Sequence, residues 1–493
     1  MERSSGILMH ITSLPSRFGI GAMGLSSFEF VDFLAAAGQR YWQVLPVNPT
    51  GFGDSPYQSF STCAGNPYFI DLEILCEKGL LSCDECASLD WGDDPERVDF
   101  EKIYKNKYEI LRKAYDRGFD GKDPAYVRFC EENKRWLTDY SVFMAAKKFY
   151  GMKAWKDWDS EGLRLHEESA VREFIHRNKE EVDFNGYVQY LFFSQWDSLK
   201  QYANSRGVLL IGDIPIYVAA DSADAWANRG MFNFDKNNEC ENVAGCPPDF
   251  FSHDGQYWGN PVYDWEYLKE TRYDWWIHRL SRVYRLFDVV RIDHFRGFES
   301  YYSIDYGAES ARFGRWEKGP GIDFFKEVEK QLPDLNIIAE DLGFLTEDVR
   351  LLLKQTGYPG MKVLQFAFDS GSANEYLPHN YKKNCVVYTG THDNNTIAGW
   401  MEETPQNEVA FAKEYGALSL EEGYNWGMIR LAFSSVADIA IVPLQDFLNL
   451  PSSARMNTPS TIGNNWQWRV CPGWAIDELI RKIRRVTELY GRL

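Results

Sequence analysis

The chain has 493 residues, 44% of them hydrophobic, which is enough for a globular protein with a large core. It carries 53 Lys and Arg against 72 Asp and Glu, a formal net charge of −19 at pH 7. Because so acidic a chain repels phosphate backbones and anionic lipids, we expect no nucleic-acid partner, no membrane partner and a neutral substrate.

Eight short apolar runs, separated by longer stretches that are compatible with helices, follow one another along the chain. Most of them hold Val, Ile, Leu or Phe and then a polar or acidic residue. The runs are 6–15, 40–49, 207–218, 289–298, 336–343, 361–368, 385–393 and 438–446. Continuous apolar runs are typical of strands buried on both faces, and eight of them alternating with helices predict an α/β fold, a closed (β/α)₈ TIM barrel. A doubly wound open sheet is the alternative, although G-x-G-x-x-G is absent after the first strand.

The spacing of the runs is uneven. Residues 50–206 lie between the second and third runs, far more than an ordinary connection, and their charge pattern predicts a mainly α-helical subdomain. Residues 219–266 form a second insertion, rich in Asn, Asp, Gly, Trp and Pro, that we expect to be a substrate-loop subdomain. We therefore predict one catalytic barrel over residues 1–493 with large, mostly helical insertions after strands 2 and 3. The chain ends in a predicted helix over 474–489, with no C-terminal β-sandwich domain.

The fourth run ends in the sequence Arg291-Ile292-Asp293-His294. The two-residue period of a strand places Arg291 and Asp293 on the same face. An arginine beside a carboxylate holds it ionised and fixes its orientation, and a catalytic nucleophile needs both. A structural ion pair at a strand end is the alternative interpretation.

The fifth run ends in two consecutive acids, Glu340 and Asp341. Adjacent strand residues point to opposite faces, so only one of the two can face the mouth of a barrel. Partial burial raises the pKa of a glutamate toward that of a working general acid, which favours Glu340 for this role. Asp341 could cap the following helix or contact a sugar hydroxyl.

The seventh run ends in Thr391-His392-Asp393. His392 and Asp393 could bind vicinal sugar hydroxyls, and Asp393 adds negative charge near a developing cation. No second His lies at i+4 and no Cys/His cluster accompanies the pair, so we expect no catalytic metal. A serine hydrolase is disfavoured because G-x-S-x-G is absent. Asp213, at the end of the third run, is a further candidate for a substrate or structural contact.

Cysteine content, the apolar runs and aromatic content each add an expectation. Nine Cys, an odd number scattered over a long chain, argue against a disulfide framework, and Cys83-x-x-Cys86 has no second pair to make a zinc site. Because the first residues lack a secretory signal and no apolar run approaches the roughly 20 residues of a membrane span, we expect a cytoplasmic protein. The 17 Trp and 28 Tyr suit either a large aromatic core or a cleft of flat rings for sugar faces. Residues 247–261 form a stiff aromatic loop, which is either a packed insertion or a substrate contact.

With these motifs, the chain resembles the amylomaltase family of 4-α-glucanotransferases, glycoside hydrolase family 77, which is related to the α-amylase barrels. The matching stretches are 53–57, 212–215, 247–261, 291–299, 339–343, 388–393 and 465–469. They occur in the family's order and cover nearly the whole chain. Two positions depart from the family pattern: Asn395 stands where an acid is usual, and Ser460 where Gly is usual, which puts the acceptor-side contacts of the Ser460 loop in question.

The resemblance implies a role for each candidate residue. Asp293 would be the nucleophile, Glu340 the acid/base and Asp393 the transition-state stabiliser. The subsite where the bond breaks would be supported by Arg291, His294 and His392. Further glucan contacts would come from Tyr57, Asp213, Trp258, Asp341 and Asn465.

The resemblance also implies a reaction: transfer of α-1,4-glucan segments from a maltooligosaccharide or amylose donor to the 4-hydroxyl of glucose or a glucan, by retaining double displacement without a cofactor. The protein would be a monomer or a homodimer. The same three acids serve hydrolysis, so an α-1,4-glucan hydrolase of the amylase type is the first alternative and a non-catalytic glucan-binding barrel the second. A sugar-phosphate isomerase or aldolase would need a phosphate-binding Gly loop and a catalytic Lys, and neither is evident.

Overall fold

The computed structural model describes residues 2–248, 253–343 and 345–493, without the side chain of Phe52. The strands in these residues are β1 (Ser4–Leu8), β2 (Tyr41–Gln43), β3 (Leu209–Ile214), β4 (Asn242–Cys246), β5 (Gln256–Pro261), β6 (Val289–Ile292), β7 (Ser300–Asp305), β8 (Arg315–Lys318), β9 (Ile337–Ala339), β10 (Gly360–Val363), β11 (Cys385–Tyr388) and β12 (Ile439–Pro443). Eight of them form a closed parallel barrel in the spatial order β1-β2-β3-β6-β9-β10-β11-β12.

This barrel confirms the predicted fold class. Each of the eight apolar runs overlaps one barrel strand, although β1 and β10 begin two residues and one residue before their runs. β1 pairs with β12 from Ser4↔Ile439 to Leu8↔Pro443, which excludes the open sheet. Most of the runs continue beyond their strands because the residues that follow turn across the mouth of the barrel and stay buried. After β6, for example, Phe295 and Phe298 are both fully buried.

The α-helices surround the barrel and fill the long first insertion. They are α1 (Leu25–Ala36), α2 (Leu72–Glu77), α3 (Cys83–Ala87), α4 (Phe100–Gly118), α5 (Pro124–Phe149), α6 (Glu161–Arg164), α7 (Glu168–Arg177), α8 (Lys179–Ser205), α9 (Ala223–Ala227), α10 (Trp265–Glu270), α11 (Asp274–Leu286), α12 (Ile322–Gln331), α13 (Glu347–Thr356), α14 (Ile397–Glu403), α15 (Gln406–Gly416), α16 (Tyr424–Ser434), α17 (Leu444–Phe447) and α18 (Asp477–Leu489). Within the predicted helical subdomain, α7 and α8 follow one another and are separated at Asn178, which has a non-helical ψ of 30°. In the described part of the chain, no helix combines the length and the apolar character that a bilayer span requires.

A four-stranded antiparallel sheet, in the order β5-β4-β7-β8, stands beside the barrel and was not predicted from the sequence. Between residues 219 and 266, where the sequence suggested helix and loop, the structure has the short helix α9 and the strands β4 and β5. The other two strands come from the connection after β6. A register shift between Val243 and Gly245 interrupts the alternation by which such a strand is recognised.

The seam where β12 meets β1 is closed by the penultimate residue of the chain. The buried Arg492 guanidinium donates hydrogen bonds to the carbonyl oxygens of Ser4 at 2.9 Å, Phe433 at 2.8 Å and Ala437 at 3.0 Å. The Ser4 and Ala437 carbonyls lie where β1 and β12 begin, and Phe433 is near the end of α16. Arg3 donates to the Phe433 and Ala437 carbonyls as well, at 2.9 and 3.2 Å, so two arginines tie the segments at this end of the barrel together.

We predict that Arg492→Ala destabilises the barrel, because it removes a buried guanidinium that donates to three carbonyls. Arg3 still donates to the carbonyls of Phe433 and Ala437, so we expect a loss of about 1–3 kcal/mol, the cost of leaving one buried carbonyl without its donor. The urea midpoint should fall markedly, and Arg492→Lys, which keeps the charge but fewer donors, should lie in between. Arg485→Ala, which removes an exposed arginine of α18, is the matched control and should leave the midpoint unchanged. Equal midpoints for Arg492→Ala and Arg485→Ala would contradict this role.

Candidate active site

Two of the three candidate acids lie side by side because of the strand register. Ile292, the last residue of β6, pairs with Ala339, the last residue of β9. Asp293 and Glu340 therefore leave adjacent parallel strands at the same level, and adjacent strands are about 4.8 Å apart. The backbone continues this pairing, since the Glu340 N–H donates to the Ile292 carbonyl at 3.0 Å.

Arg291 lies one layer below these acids and connects two carboxylates. Its Nη1 is 2.7 and 2.6 Å from the two oxygens of Asp213, which is its register partner on β3, and 3.2 Å from Asp293 Oδ1. Burial alone would lower the pKa of Arg291, but Asp213 and Asp293 raise it well above its ordinary value. The guanidinium is therefore a permanent positive charge, and Arg291 and Asp293 share a face as the sequence predicted.

The Glu340 carboxylate is held by two backbone donors. The His294 N–H donates to Oε2 at 2.6 Å and the Leu342 N–H to Oε1 at 3.2 Å. His294 adopts a left-handed conformation, with φ 50° and ψ 49°, directly after the strand end. This sharp turn directs its N–H toward the neighbouring strand, so the orientation of Glu340 depends on the backbone of His294.

Burial raises the pKa of both Asp293 and Glu340. Arg291 opposes the shift in both, while Glu340, Asp213 and Asp393 raise the pKa of Asp293 further. Two carboxyls this close cannot both ionise easily, so the pair retains a proton to higher pH than either acid would alone. One protonated and one ionised carboxyl is the state that glycosidic-bond chemistry requires.

Asp393 approaches this pair from across the mouth of the barrel. It follows β11, which is separated from β9 by β10. His392 Nε2 lies 3.3 Å from Asp393 Oδ2, and the Asn457 side-chain amide donates to Oδ1 at 2.6 Å. Although its side chain is 43% exposed, Asp393 still raises the pKa of Asp293 through its charge, so the three acids share one electrostatic environment.

Two aromatic rings, Tyr57 and Trp466, pack on His392, and Tyr57 also contacts Asp213. Tyr57 stacks on His392 with ring centroids 5.1 Å apart and planes 16° apart, and Trp466 lies 5.8 Å from both rings. The Tyr57 hydroxyl donates to Asp213 Oδ2 at 2.7 Å. Burial lowers the pKa of His392, so its ring is neutral near pH 7. Tyr57 thus joins the Arg291–Asp213 pair to the histidine beside Asp393.

Trp258 forms the opposite side of this group. It lies on β5, and its ring meets His294 edge to face at 4.9 Å. Burial lowers the pKa of His294 to about 3, which leaves a neutral ring whose Nε2 has no hydrogen-bond partner among the described residues. Gln58 bridges the Trp258 carbonyl and Asn260, which fixes the described part of the aromatic loop. Residues 249–252 of that loop lie outside the described residues.

Two predicted sugar contacts have their polar atoms engaged elsewhere. Asp341 is only 5% exposed, and its carboxylate accepts the Met361 N–H at 2.6 Å, which ties the end of β9 to β10. The Asn465 amide accepts from the Thr458 N–H and donates to the Thr461 carbonyl within its own loop. The Asp341 charge raises the pKa of the neighbouring Glu340, but the Asp341 carboxylate is engaged by the β10 backbone, and Asn465 shapes its own loop.

The two departures from the family pattern have structural consequences. Asn395 Nδ2 donates to Glu403 at 2.9 Å and to Ser452 Oγ at 3.0 Å, so a neighbouring helix supplies an acid beside this amide. Ser460 has φ 63°, in the left-handed region where glycine is favoured. The serine accepts some backbone strain at the turn of the 458–465 loop.

Four residues near the site were not singled out from the sequence. Asp446 follows β12 just as the candidate acids follow their strands, and this signal could have identified it. Its carboxylate accepts hydrogen bonds from the Thr389 hydroxyl at 2.6 Å and from the Ile397 N–H at 2.7 Å. These two contacts anchor the loop that carries Asp393. The others are His10, Arg455 and Asn457, and only the fold shows their proximity to His392 and Asp393. Across 2–248, 253–343 and 345–493, no group of three His, Cys, Asp or Glu side chains is arranged for a metal ion.

The chain was compared with known protein families, sequences and structures. The family described as 4-alpha-glucanotransferase matches residues 9–473. A 4-alpha-glucanotransferase of Clostridium butyricum is 50% identical over 486 residues, 98% of this chain and 100% of the relative. One from Thermus thermophilus is 45% identical over 505 residues and is fully covered. The structure of amylomaltase from Streptococcus agalactiae in complex with acarbose superposes with a TM-score of 0.97 at 40% identity over 100% of both chains. The chain belongs to the 4-alpha-glucanotransferase family.

We predict that Asp446 makes stability pH-dependent. Burial raises its pKa to about 6, so the folded state binds this proton more tightly than the unfolded state does. Stability from this group is complete below the unfolded pKa near 4 and is lost as pH rises through 6. Between pH 4.5 and 7.5 the free energy of unfolding should fall by about 2 kcal/mol relative to Asp446→Asn, which cannot ionise.

Urea midpoints measured across this pH range would check the prediction. Asparagine keeps an acceptor for the Ile397 N–H, so Asp446→Asn should fold. Asp334→Asn, at an exposed position, is the control and should follow the wild-type curve. Parallel curves for wild type and Asp446→Asn would show that Asp446 does not titrate in this range.

Proposed function

We propose that this member of the family transfers α-1,4-glucan segments from a maltooligosaccharide or amylose donor to the 4-hydroxyl of glucose or another glucan. The observation that carries the proposal is the meeting of Asp293, Glu340 and Asp393 around a buried arginine at the mouth of the barrel. The relatives named 4-alpha-glucanotransferase support the transfer reaction. The acarbose-bound amylomaltase structure supports an oligosaccharide substrate.

In the first half of the reaction, Asp293 attacks the anomeric carbon and Glu340 protonates the departing glycosidic oxygen. The Arg291 contact at 3.2 Å favours ionised Asp293, so we assign the retained proton to Glu340. Retaining enzymes hold these carboxyls about 5–5.5 Å apart, and positions on adjacent strands in register suit that distance. The product is a covalent glucosyl-enzyme and a shortened donor.

In the second half, the Glu340 carboxylate removes the proton from the 4-hydroxyl of an incoming sugar, which attacks the anomeric carbon. The bond to Asp293 breaks, a new α-1,4 linkage forms, and the configuration is retained after two inversions. The His294 and Leu342 N–H groups hold Glu340 in one place through both steps. One carboxyl can therefore serve as acid and then as base.

The remaining residues have supporting roles in this proposal. Asp393 stabilises the oxocarbenium-like transition state, because its negative charge acts at the position of Asp293. Neutral His392 and His294 present ring N–H groups or acceptors to sugar hydroxyls. Tyr57 and Trp258 offer ring faces and edges on two sides of the acids.

Preference for transfer over hydrolysis depends on keeping water from the glucosyl-enzyme until an acceptor arrives. We assign this task to the aromatic walls around Tyr57, Trp258 and Trp466, which belong to three separate segments of the chain. In this organisation, 50–206 is a mainly helical subdomain and 219–266 a substrate-loop subdomain that contributes Trp258. We also propose that the protein acts in the cytoplasm.

Maltotriose provides the decisive assay. We expect longer oligosaccharides and glucose to accumulate at a constant number of reducing ends, because each bond broken is replaced by another. Asp293→Asn should abolish turnover while leaving the thermal midpoint near that of the wild type. Rising reducing ends would instead support a hydrolase, and an unchanged substrate would leave only a binding function.

We predict that Glu340→Ala separates the two chemical roles. General acid catalysis contributes about 10²–10⁴-fold, so turnover of maltotriose should fall by that order. An α-maltosyl fluoride donor needs no proton for its leaving group, so its cleavage by Glu340→Ala should largely persist while Asp293→Asn loses it. Fluoride release measures this step. Equal losses with both donors would contradict the assignment of Glu340 as the acid.

The raised pKa of Glu340 also predicts the pH profile of the wild type. The acid must be protonated to act, so the alkaline limb of kcat/KM for maltotriose should lie above the ordinary range of a glutamate. The α-maltosyl fluoride donor does not need a protonated acid. With this donor, the alkaline limb of the first step should therefore move to higher pH or vanish.

A further inference from the structure

The segment that follows β12 holds the strand end that carries Asp393. The Asn457 N–H donates to the His392 carbonyl at 3.1 Å, and Arg455 Nη2 donates to the Asp393 carbonyl at 2.5 Å. Arg455 Nε also donates to the Asn457 carbonyl at 2.8 Å. These contacts align the backbone of residues 455–457 with that of residues 392–393.

Asn457 adds the one contact in this segment that reaches the Asp393 carboxylate. Its side-chain Nδ2 donates to Oδ1 at 2.6 Å, while Oδ2 faces His392 Nε2 at 3.3 Å. A carboxylate that is 43% exposed would otherwise be free to rotate about its χ angles. With the Asn457 amide bonded to Oδ1 and the His392 ring packed beside Oδ2, the Asp393 carboxylate has one preferred orientation.

We propose that Asn457 is a positioning residue for Asp393, whose amide fixes the carboxylate plane in the orientation that the glucosyl transition state requires. The proposal rests on the proposed function. Asn457 does not touch the sugar in this role; it acts through Asp393. Its backbone position is also tied to the ring cluster, because the Trp466 N–H donates to the carbonyl of the preceding Met456 at 2.6 Å.

An asparagine suits this position better than a cation would. Asp393 already interacts with the charges of Arg455 and Asp293 and with the rings of Tyr57 and His392. A neutral amide orients the carboxylate without neutralising it, so the full negative charge remains for the developing cation. Misplacement of a catalytic group by about 1 Å can cost on the order of 10²-fold in rate.

Asn457→Ala tests the loss of the donor. Kinetics of maltotriose disproportionation should show kcat lower by about 10- to 100-fold, with KM within about threefold of the wild type, because ground-state binding does not depend on the carboxylate plane. The thermal midpoint shows whether the variant is folded. A kcat within twofold of the wild type would overturn the proposal.

Asn457→Asp gives a readout that a merely structural role would not move. The variant has the same shape but places a second carboxyl against Asp393, and two such carboxyls must share a proton. At pH 7 its kcat should be below that of Asn457→Ala, and the ratio of its kcat to that of the wild type should rise as pH falls toward 5. A pH profile parallel to the wild type would overturn the proposal, even if Asn457→Ala fails to fold.

Two controls separate this proposal from the proposed function. Ser453→Asp adds a carboxylate at an exposed position of the same segment and should keep the wild-type rate and pH profile. Wild-type disproportionation of maltotriose is measured first. An inactive wild type overturns the proposed function and this role with it, whereas an active wild type with unaffected Asn457 variants overturns this role alone.

Discussion

The site is organised around one buried positive charge. Arg291 is 4% exposed, and a guanidinium at that depth is tolerated only when anions compensate the cost of removing it from water. Asp213 supplies one carboxylate from the adjacent strand and Asp293 a second from two residues further along its own strand. The strand register that pairs Asp213 with Arg291 also places Glu340 beside Asp293. One electrostatic requirement therefore sets the positions of three carboxyls.

The barrel strands position Arg291, Asp293 and Glu340, whereas the third acid, Asp393, is positioned by a loop. Asp393 lies five residues beyond the end of β11, and its position follows from contacts with segments that are distant in sequence. Asp446 accepts the Ile397 N–H after the loop that carries Asp393, and the Asn457 amide donates to the Asp393 carboxylate. Asp293 and Glu340, the proposed nucleophile and acid/base, thus directly follow two paired strands, whereas Asp393, the proposed cation stabiliser, lies on a loop that the segment after β12 holds in place.

Much of this arrangement could be predicted from the sequence. The eight apolar runs located every barrel strand, since strands buried on both faces leave a continuous hydrophobic signal. The two-residue period correctly placed Arg291 and Asp293 on one face, and the same rule separated Glu340 from Asp341. The antiparallel sheet was missed because its strands come from two different connections and because a register shift between Val243 and Gly245 interrupts their alternation. Asn457 was missed because a single polar residue in a loop gives no periodic signal.

The sequence by itself determined the barrel, the acids at its carboxyl edge and the family to which the chain is related. These features follow from local patterns, in which burial and strand period act on neighbouring residues. Only the tertiary structure decided how the acids are oriented. The left-handed turn at His294 directs a backbone donor to Glu340, the Tyr57 ring joins Asp213 to His392, and Asn457 reaches Asp393 from 64 residues away. Such contacts depend on chain closure over long separations, which no local pattern records.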